Sequence, residues 1–278
     1  MPSPARARPR RVRRSRTARA PRPHGATRKA AGLGFIVVVA CLAALALGAG
    51  AFWITLPSAE ELRGKNPAST ALIDARAAEA ALKHKPARRN QHWVALSRIS
   101  PWLLKAVVNS EDARFYQHDG IDVVETRVAF ERAVDEGHLG RGASTLTQQL
   151  AKNLWLGEER SLLRKAREAL LARRLEQLGK ERILELYLNV VEWGEGIYGA
   201  DAAARVWFHK PAAQLYPEEA AVLAAMLPAP RKRNPRRPSA KLRKRAAEVL
   251  ELYQVYKQLP QPELEAARAR LTALLGAP

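Results

Sequence analysis

From Trp102 to Leu259, apolar residues return every three or four positions. The stretches WLLKAVVNS, TLTQQLAKNLWL, RSLLRKAREALLARRLEQLG, KERILELYLNVV, PEEAAVLAAML and AKLRKRAAEVLELYQVYKQL each predict an amphipathic helix. No long alternation of apolar and polar residues competes with them, so the expected fold class is mostly α.

Nearer the N-terminus the pattern changes. The run AAGLGFIVVVACLAALALGAGAFWITLPSA has no charge until Glu60. It exceeds the ~20 apolar residues that cross a bilayer core as a helix and predicts a transmembrane anchor over 31–56. A basic tail over 1–29 precedes it, with eleven Lys or Arg and no acid between Arg6 and Lys29, and too few large apolar groups to fold. That tail supplies more than half of the formal net charge of +20, so the excess is not a property of the folded part. Positive charge on the N-terminal side orients the anchor with its tail in the cytoplasm and everything from about Pro57 outside. A cleavable signal peptide competes with the anchor, because Gly48, Ala49, Gly50 and Ala51 offer a processing site.

Residues 57–91 are charged and alanine-rich and predict a stalk with little to give a core. The domain proper is expected over 92–240, followed by a C-terminal helical extension over 241–278. Cys41, the only cysteine, lies inside the apolar run, which leaves the exported part without a disulfide or a cysteine nucleophile. The chain has no Gly-rich phosphate loop and no Cys/His metal spacing. Basic helices suggest nucleic acid, but an exported domain does not meet it.

Three stretches carry candidate chemistry. In SPWLLKAVVNSEDARFYQHDG, Ser100 and Pro101 start a short helix that delivers Glu111 and Asp112 at or just beyond its C-terminal end, near Asn109. Negative charge there opposes the helix dipole and tends to raise a carboxylate's pKa, as a general base requires. The plainer reading pairs one acid with Lys105 or Arg114 and puts Phe115 and Tyr116 in the core. In RGASTLTQQLAKNLWL, Thr145 and Gln148 form a capping box, and Leu146, Leu150 and Leu154 form an apolar stripe. Gln148, Gln149, Lys152 and Asn153 are left for the remaining surface, either to meet phosphate with Ser144 and Thr145 or simply to face water. In ERSLLRKAREALLARRLE, Arg160, Arg164, Arg167 and Glu168 share one side of a helix, which is either a cation-ringed carboxylate or an exposed helix with a weak ion pair.

Taken together and in order, EDARFYQHDGID, GASTLTQQLAKN, RKAREALLARRLE and ERILELYLNVVEWGEGIYGADAAARVWFHKPAAQLYPEEAAVLAAMLPAP resemble the family 51 peptidoglycan glycosyltransferases. The likeness runs from about Ile99 to Pro235 and is strongest to the monofunctional biosynthetic transglycosylases of Gram-negative bacteria. No Ser-x-x-Lys or Lys-Thr-Gly sequence of a transpeptidase occurs in the chain.

The resemblance implies a lysozyme-like helical glycosyltransferase domain, behind a single N-terminal transmembrane helix, that polymerises lipid II at the outer face of the cytoplasmic (inner) membrane. Glu111 and Glu168 are the implied catalytic carboxylates, the first as general base. Ser144, Gln148, Gln149, Lys152, Arg160 and Arg167 are implied at the substrate and its pyrophosphate. The resemblance leaves room for a divalent cation, Mg or Mn, at that pyrophosphate and implies no organic cofactor. Lipid II, the growing lipid-linked glycan and the membrane are the implied partners, with cell-division or elongation proteins as further candidates. The segment IDVVETRVAFERAVDEGHLGR corresponds to the family's membrane-dipping region, with Ile121, Val123, Val124, Val128 and Phe130 as the residues it offers to lipid. A lysozyme-like hydrolase or lytic enzyme and an inactive membrane-anchored scaffold remain as alternatives. The hydrolase would not need a cationic pyrophosphate site, and the scaffold would not need both glutamates.

Overall fold

The structure, a computed structural model, describes residues 26–136, 144–157 and 161–277. The chain divides into two units, Met1–Thr55 and Leu56–Pro278.

In the first unit, helix α1 (Ala26–Ile54) covers nearly all of the expected anchor and exposes Phe35, Ile36, Leu45, Leu47 and Ile54. Among the described residues, however, no helix is long and apolar enough to cross a membrane. Most of the basic tail, residues 1–25, lies outside the described residues.

The second unit is mostly helical, as the three-to-four spacing predicts. Helix α3 (Pro101–Glu111) starts where Ser100 accepts the Trp102 N–H at 3.3 Å and Pro101 occupies the first turn. Its buried face, Leu103, Ala106 and Val107, packs on α9 (Pro217–Met226) and α10 (Ala240–Val255). From Ala220 to Met226 every residue of α9 is buried, so this short, small-residue helix runs through the middle of the core.

The segment expected as an extension is part of that core. Leu242, Ala246, Val249, Leu250 and Tyr253 of α10 are buried, as are Leu264, Ala267 and Leu271 of α11 (Gln261–Leu275). Tyr253 also donates its hydroxyl to the Trp102 carbonyl at 2.7 Å. No packing boundary falls at residue 240, because both faces of the α9–α10 contact are apolar.

The expected stalk also differs from the structure. Leu56, Ala59 and Leu62 belong to the main core, and the Arg174 and Arg182 side chains donate to the Leu56 and Leu62 carbonyls at 2.7 Å each. Helix α2 (Ala71–Leu82), capped by Thr70, buries Leu72 and Ile73 with Tyr198. Isolated apolar residues in a charged stretch make no periodic signal when their partners lie more than a hundred positions away.

A small sheet closes this side in the order β1–β3–β2: β1 (Asn90–Gln91) runs parallel to β3 (Ile197–Tyr198), and β2 (Glu192–Gly194) runs antiparallel to it through a bulge. Gly199 sits at φ +84°, where a Cβ would meet the Asn189 carbonyl oxygen at 2.8 Å. Only glycine tolerates both that conformation and that approach. Asn189 is buried and ties the preceding loop to α7 (Lys180–Val190), accepting from Val94 N and donating to Val94 O at 2.9 Å each.

Candidate active site

The two adjacent acids at the end of α3 have different roles. Glu111 is the last helical residue, and Asp112 breaks the helix at φ −162°, ψ 71°, which turns the two side chains apart. Asp112 is buried and accepts the Leu146 N–H at 2.9 Å, and His118 Nε2 lies 2.9 Å from its other oxygen. It therefore clasps the start of α5 (Leu146–Ala151) to the loop after α3. Phe115 is fully buried beneath that loop. Tyr116, expected beside it in the core, is exposed. Arg114 pairs with Asp122 at 3.1 Å rather than with either adjacent acid, and Lys105 lies over the Trp102 ring.

Removing the clasp by Asp112→Ala would strand a buried N–H and a buried imidazole, at an expected cost of about 2–3 kcal/mol in chemical denaturation. A loss within about 0.5 kcal/mol, the range of ordinary surface changes, would show that the clasp is not part of the fold's support.

Asp112, His118 and Asp122 place ligand atoms within 4.8 Å of one another, the spacing a metal ion needs. Their surroundings do not suit one. Asp112 is already used by Leu146 and His118, while Asp122 accepts the Glu125 N–H at 2.9 Å and faces the Arg114 guanidinium. A hard divalent cation asks for open oxygen ligands and no neighbouring cation, so the group reads as a structural clasp.

Glu111 points into a different environment. Its Oε2 accepts from Gln149 Nε2 at 3.1 Å, and Gln149 Oε1 accepts from the Tyr187 hydroxyl at 3.0 Å. Burial pushes its carboxyl above the ordinary 4.5, with Asp112 adding to the rise; the Gln149 bond and the Arg245 and Arg233 charges act in the opposite direction.

The raised pKa makes a stability prediction. The folded state holds this proton at pH values where the unfolded chain has lost it, so the group's contribution is full below the unfolded pKa and is lost as pH rises through the folded one. Glu111→Gln, which never ionises, should therefore have a higher Tm than wild type near neutral pH. The gap should close as pH falls below the ordinary carboxylate value. A mutant Tm below wild type at neutral pH would contradict the burial argument.

Glu111 and Asp112 line a cleft of about 210 Å³ with Asn109, Arg114, Ser144 and Thr145. Ser144 leads from this cleft to the second carboxylate: its Oγ accepts from Lys165 Nζ at 3.1 Å, and Lys165 also pairs with Glu168. Glu168, on α6 (Leu162–Leu175), is buried and is held on its other oxygen by Arg164 at 2.6 Å. The weak exposed ion pair that spacing alone allows is thus replaced by a buried carboxylate between two cations. Breaking such a pair costs several-fold more than a surface pair.

The remaining expected site residues divide. Gln149 reaches Glu111. Gln148 is buried in the capping box, accepting the Thr145 N–H at 3.1 Å, and Asn153, expected on the surface, is also buried. Lys152 is half-buried at the head of a π-helical turn, Lys152–Leu156, that continues α5; such turns recur at functional sites. Arg167 is exposed. Arg160 lies outside the described residues.

Lys165, Arg233, Arg245 and the Tyr187 hydroxyl are additions that sequence reading missed. Lys165 had a local signal, three residues before Glu168. Arg245, whose Nη2 donates to the Ser110 carbonyl at 3.2 Å, had none, since 135 positions separate the two.

The family model described as Transglycosylase matches residues 78–254. A protein of Laribacter hongkongensis named biosynthetic peptidoglycan transglycosylase is 47% identical over 167 residues, 60% of this chain and 73% of its own. Proteins of the same name from Thiobacillus denitrificans (49% over 167 residues, 60% of this chain and 72% of its own) and Dechloromonas aromatica (44% over 186 residues, 66% and 80%) are similar. Among solved structures, penicillin-binding protein 1A from Haemophilus influenzae is matched over 65% of this chain and 17% of that chain, at 21% identity and a TM-score of 0.39.

Proposed function

The chain belongs to the transglycosylase family, and on that premise we propose that the Glu111 cleft joins lipid II units into β-1,4-linked peptidoglycan strands. Glu111 takes the proton from the acceptor sugar's 4-hydroxyl as that oxygen attacks the anomeric carbon of the lipid-linked chain. The new oxygen–carbon bond forms while the bond to the pyrophosphate breaks, and the electron pair leaves with undecaprenyl pyrophosphate. Attack opposite an α-linked leaving group inverts the centre to β. A base must be desolvated to pull that proton yet remain a carboxylate. Burial meets the first need, and the Gln149 N–H with the Arg233 and Arg245 charges meets the second.

Negative charge grows on the departing pyrophosphate, so fixed cations aimed at it lower the barrier. Lys165 and Arg164, gathered on Glu168, and Lys152 on the π turn are the described candidates, with Arg160 and Arg167 beside them in sequence. A divalent cation, where one takes part, belongs with the phosphate oxygens rather than with the Asp112 clasp.

A raised carboxyl would also suit the general acid of a hydrolase. The observation that decides between the two is Glu168 buried between two cations and linked through Ser144 to the Glu111 cleft. A hydrolase acting on a neutral glycosidic bond needs its second carboxylate open to water or to the sugar, and this one is spent on holding cations.

The same reading places the domain at the outer face of the inner membrane, single-pass, with the N-terminus cytoplasmic. The uncharged stretch of sequence between Lys29 and Glu60, behind the basic tail, supports it, as do the exposed Val123, Val124, Phe130 and Val134 of α4 (Val123–Glu136) and Leu162 and Leu163 of α6, which suit a lipid-linked substrate.

The test supplies purified full-length protein either with labelled lipid II or with finished peptidoglycan. Polymer and lipid pyrophosphate from the first, with no fragments from the second, are expected. Fragments from finished peptidoglycan without polymer from lipid II would replace this reading with hydrolysis.

A further inference from the structure

Tyr187 lies on α7 with its ring fully buried in the core, and its hydroxyl crosses to α5. The hydroxyl donates to Gln149 Oε1 at 3.0 Å, and Nε2 of the same carboxamide donates to Glu111 Oε2 at 3.1 Å. A carboxamide has one accepting end and one donating end, and a carboxylate only accepts. Whatever holds the oxygen end therefore decides what the base meets.

We infer that Tyr187 is a positioning residue for glycosyl transfer: its hydroxyl locks the Gln149 carboxamide with the NH2 toward Glu111 and so holds the carboxylate in place as a ready acceptor. The inference rests on the reading of Glu111 as the base. Burial, with Glu111 and Asp112 nearby, keeps the Tyr187 phenol well above its ordinary pKa, so it stays a donor throughout the working range. The other charged groups facing Glu111 are Asp112 next to it, Arg233 from the connection between α9 and α10, and Arg245 from α10. They act through space, whereas Gln149 is the hydrogen-bond partner the structure gives it.

The experiment measures kcat/KM for lipid II polymerisation by the full chain as a function of pH. In Tyr187→Phe the carboxamide is free to turn its oxygen to Glu111, which favours the protonated acid. The acid limb should then move up by about one pH unit, a roughly tenfold loss of rate below it. In a Gln149→Ala background, where there is no carboxamide to orient, Tyr187→Phe should add no further shift. A Phe that merely loosened the core would lower Tm and leave the limb in place. An unshifted limb in Tyr187→Phe, or an equal extra shift in the Gln149→Ala background, overturns the inference.

Should Tyr187→Phe fail to fold, Gln149→Glu carries the test. One of its oxygens still accepts from Tyr187, and the other faces Glu111 in place of the N–H. An upward shift is expected, and no shift overturns the inference. Activity retained by Glu111→Gln would instead overturn the base assignment itself, whatever the Tyr187 variants do.

Discussion

Glu111→Gln should reduce polymer formation by about 10²–10⁴-fold, the contribution of a positioned general base, without unfolding the protein. The amide is nearly isosteric and has an oxygen with which to accept the Gln149 N–H, so the hydrogen bond from α5 persists. What it lacks is basicity. The acceptor hydroxyl then has to attack with its proton still on, and the two aspartates that line the cleft beside Glu111 are already engaged. Asp112 is committed to Leu146 and His118, and Asp122 to Arg114 and the Glu125 N–H. Activity within about tenfold of wild type would remove Glu111 from this role, because so small a loss falls below what a general base supplies.

The second large loss is expected from Glu168→Gln, on the order of 10²–10³-fold in turnover, comparable with losing one group that stabilises a transition state. Glu168 need not touch the reacting atoms to have this effect. Its two oxygens hold Arg164 and Lys165, and Lys165 reaches Ser144 at the edge of the cleft. An amide keeps one acceptor and gains a donor that points at a cation, so the cluster loses its set positions. Yet a negative charge is removed beside bound phosphates, so affinity for a phosphoglycolipid inhibitor such as moenomycin should not fall. Lys152→Ala and Arg160→Ala should lower both turnover and that affinity. If both cation variants bind the inhibitor as wild type does, the phosphates lie elsewhere.

What could be read from the residues was what is local. Ser100 with Pro101, and Thr145 with Gln148, are caps formed within three residues, and both appear as expected. The apolar stripes of α3, α6, α7 and α10 follow the helical repeat closely enough to set the fold class. Spacing alone could not show that Glu168 is buried, because burial depends on what packs over the helix. Nor could it show that Gln148 turns inward to its cap while Gln149 turns toward Glu111. Arg233 and Arg245 approach the base only because α10 packs on α3 and α9, and Tyr187 reaches Gln149 only because α7 packs on α5. Leu56 and Leu62 found their core partners by the same long-range packing. The blocks that resemble a family supplied the roles, and the structure supplied Lys165 and the Tyr187 hydroxyl.

The most direct measurement is linkage analysis of the product that purified full-length protein makes from labelled lipid II, with wild type and Glu111→Gln run side by side. The expected result is strands joined by β-1,4 bonds from wild type, and a yield at least about a hundredfold lower from the variant. Strands with retained α linkage, or β-1,4 strands made by Glu111→Gln at the wild-type rate, would contradict it.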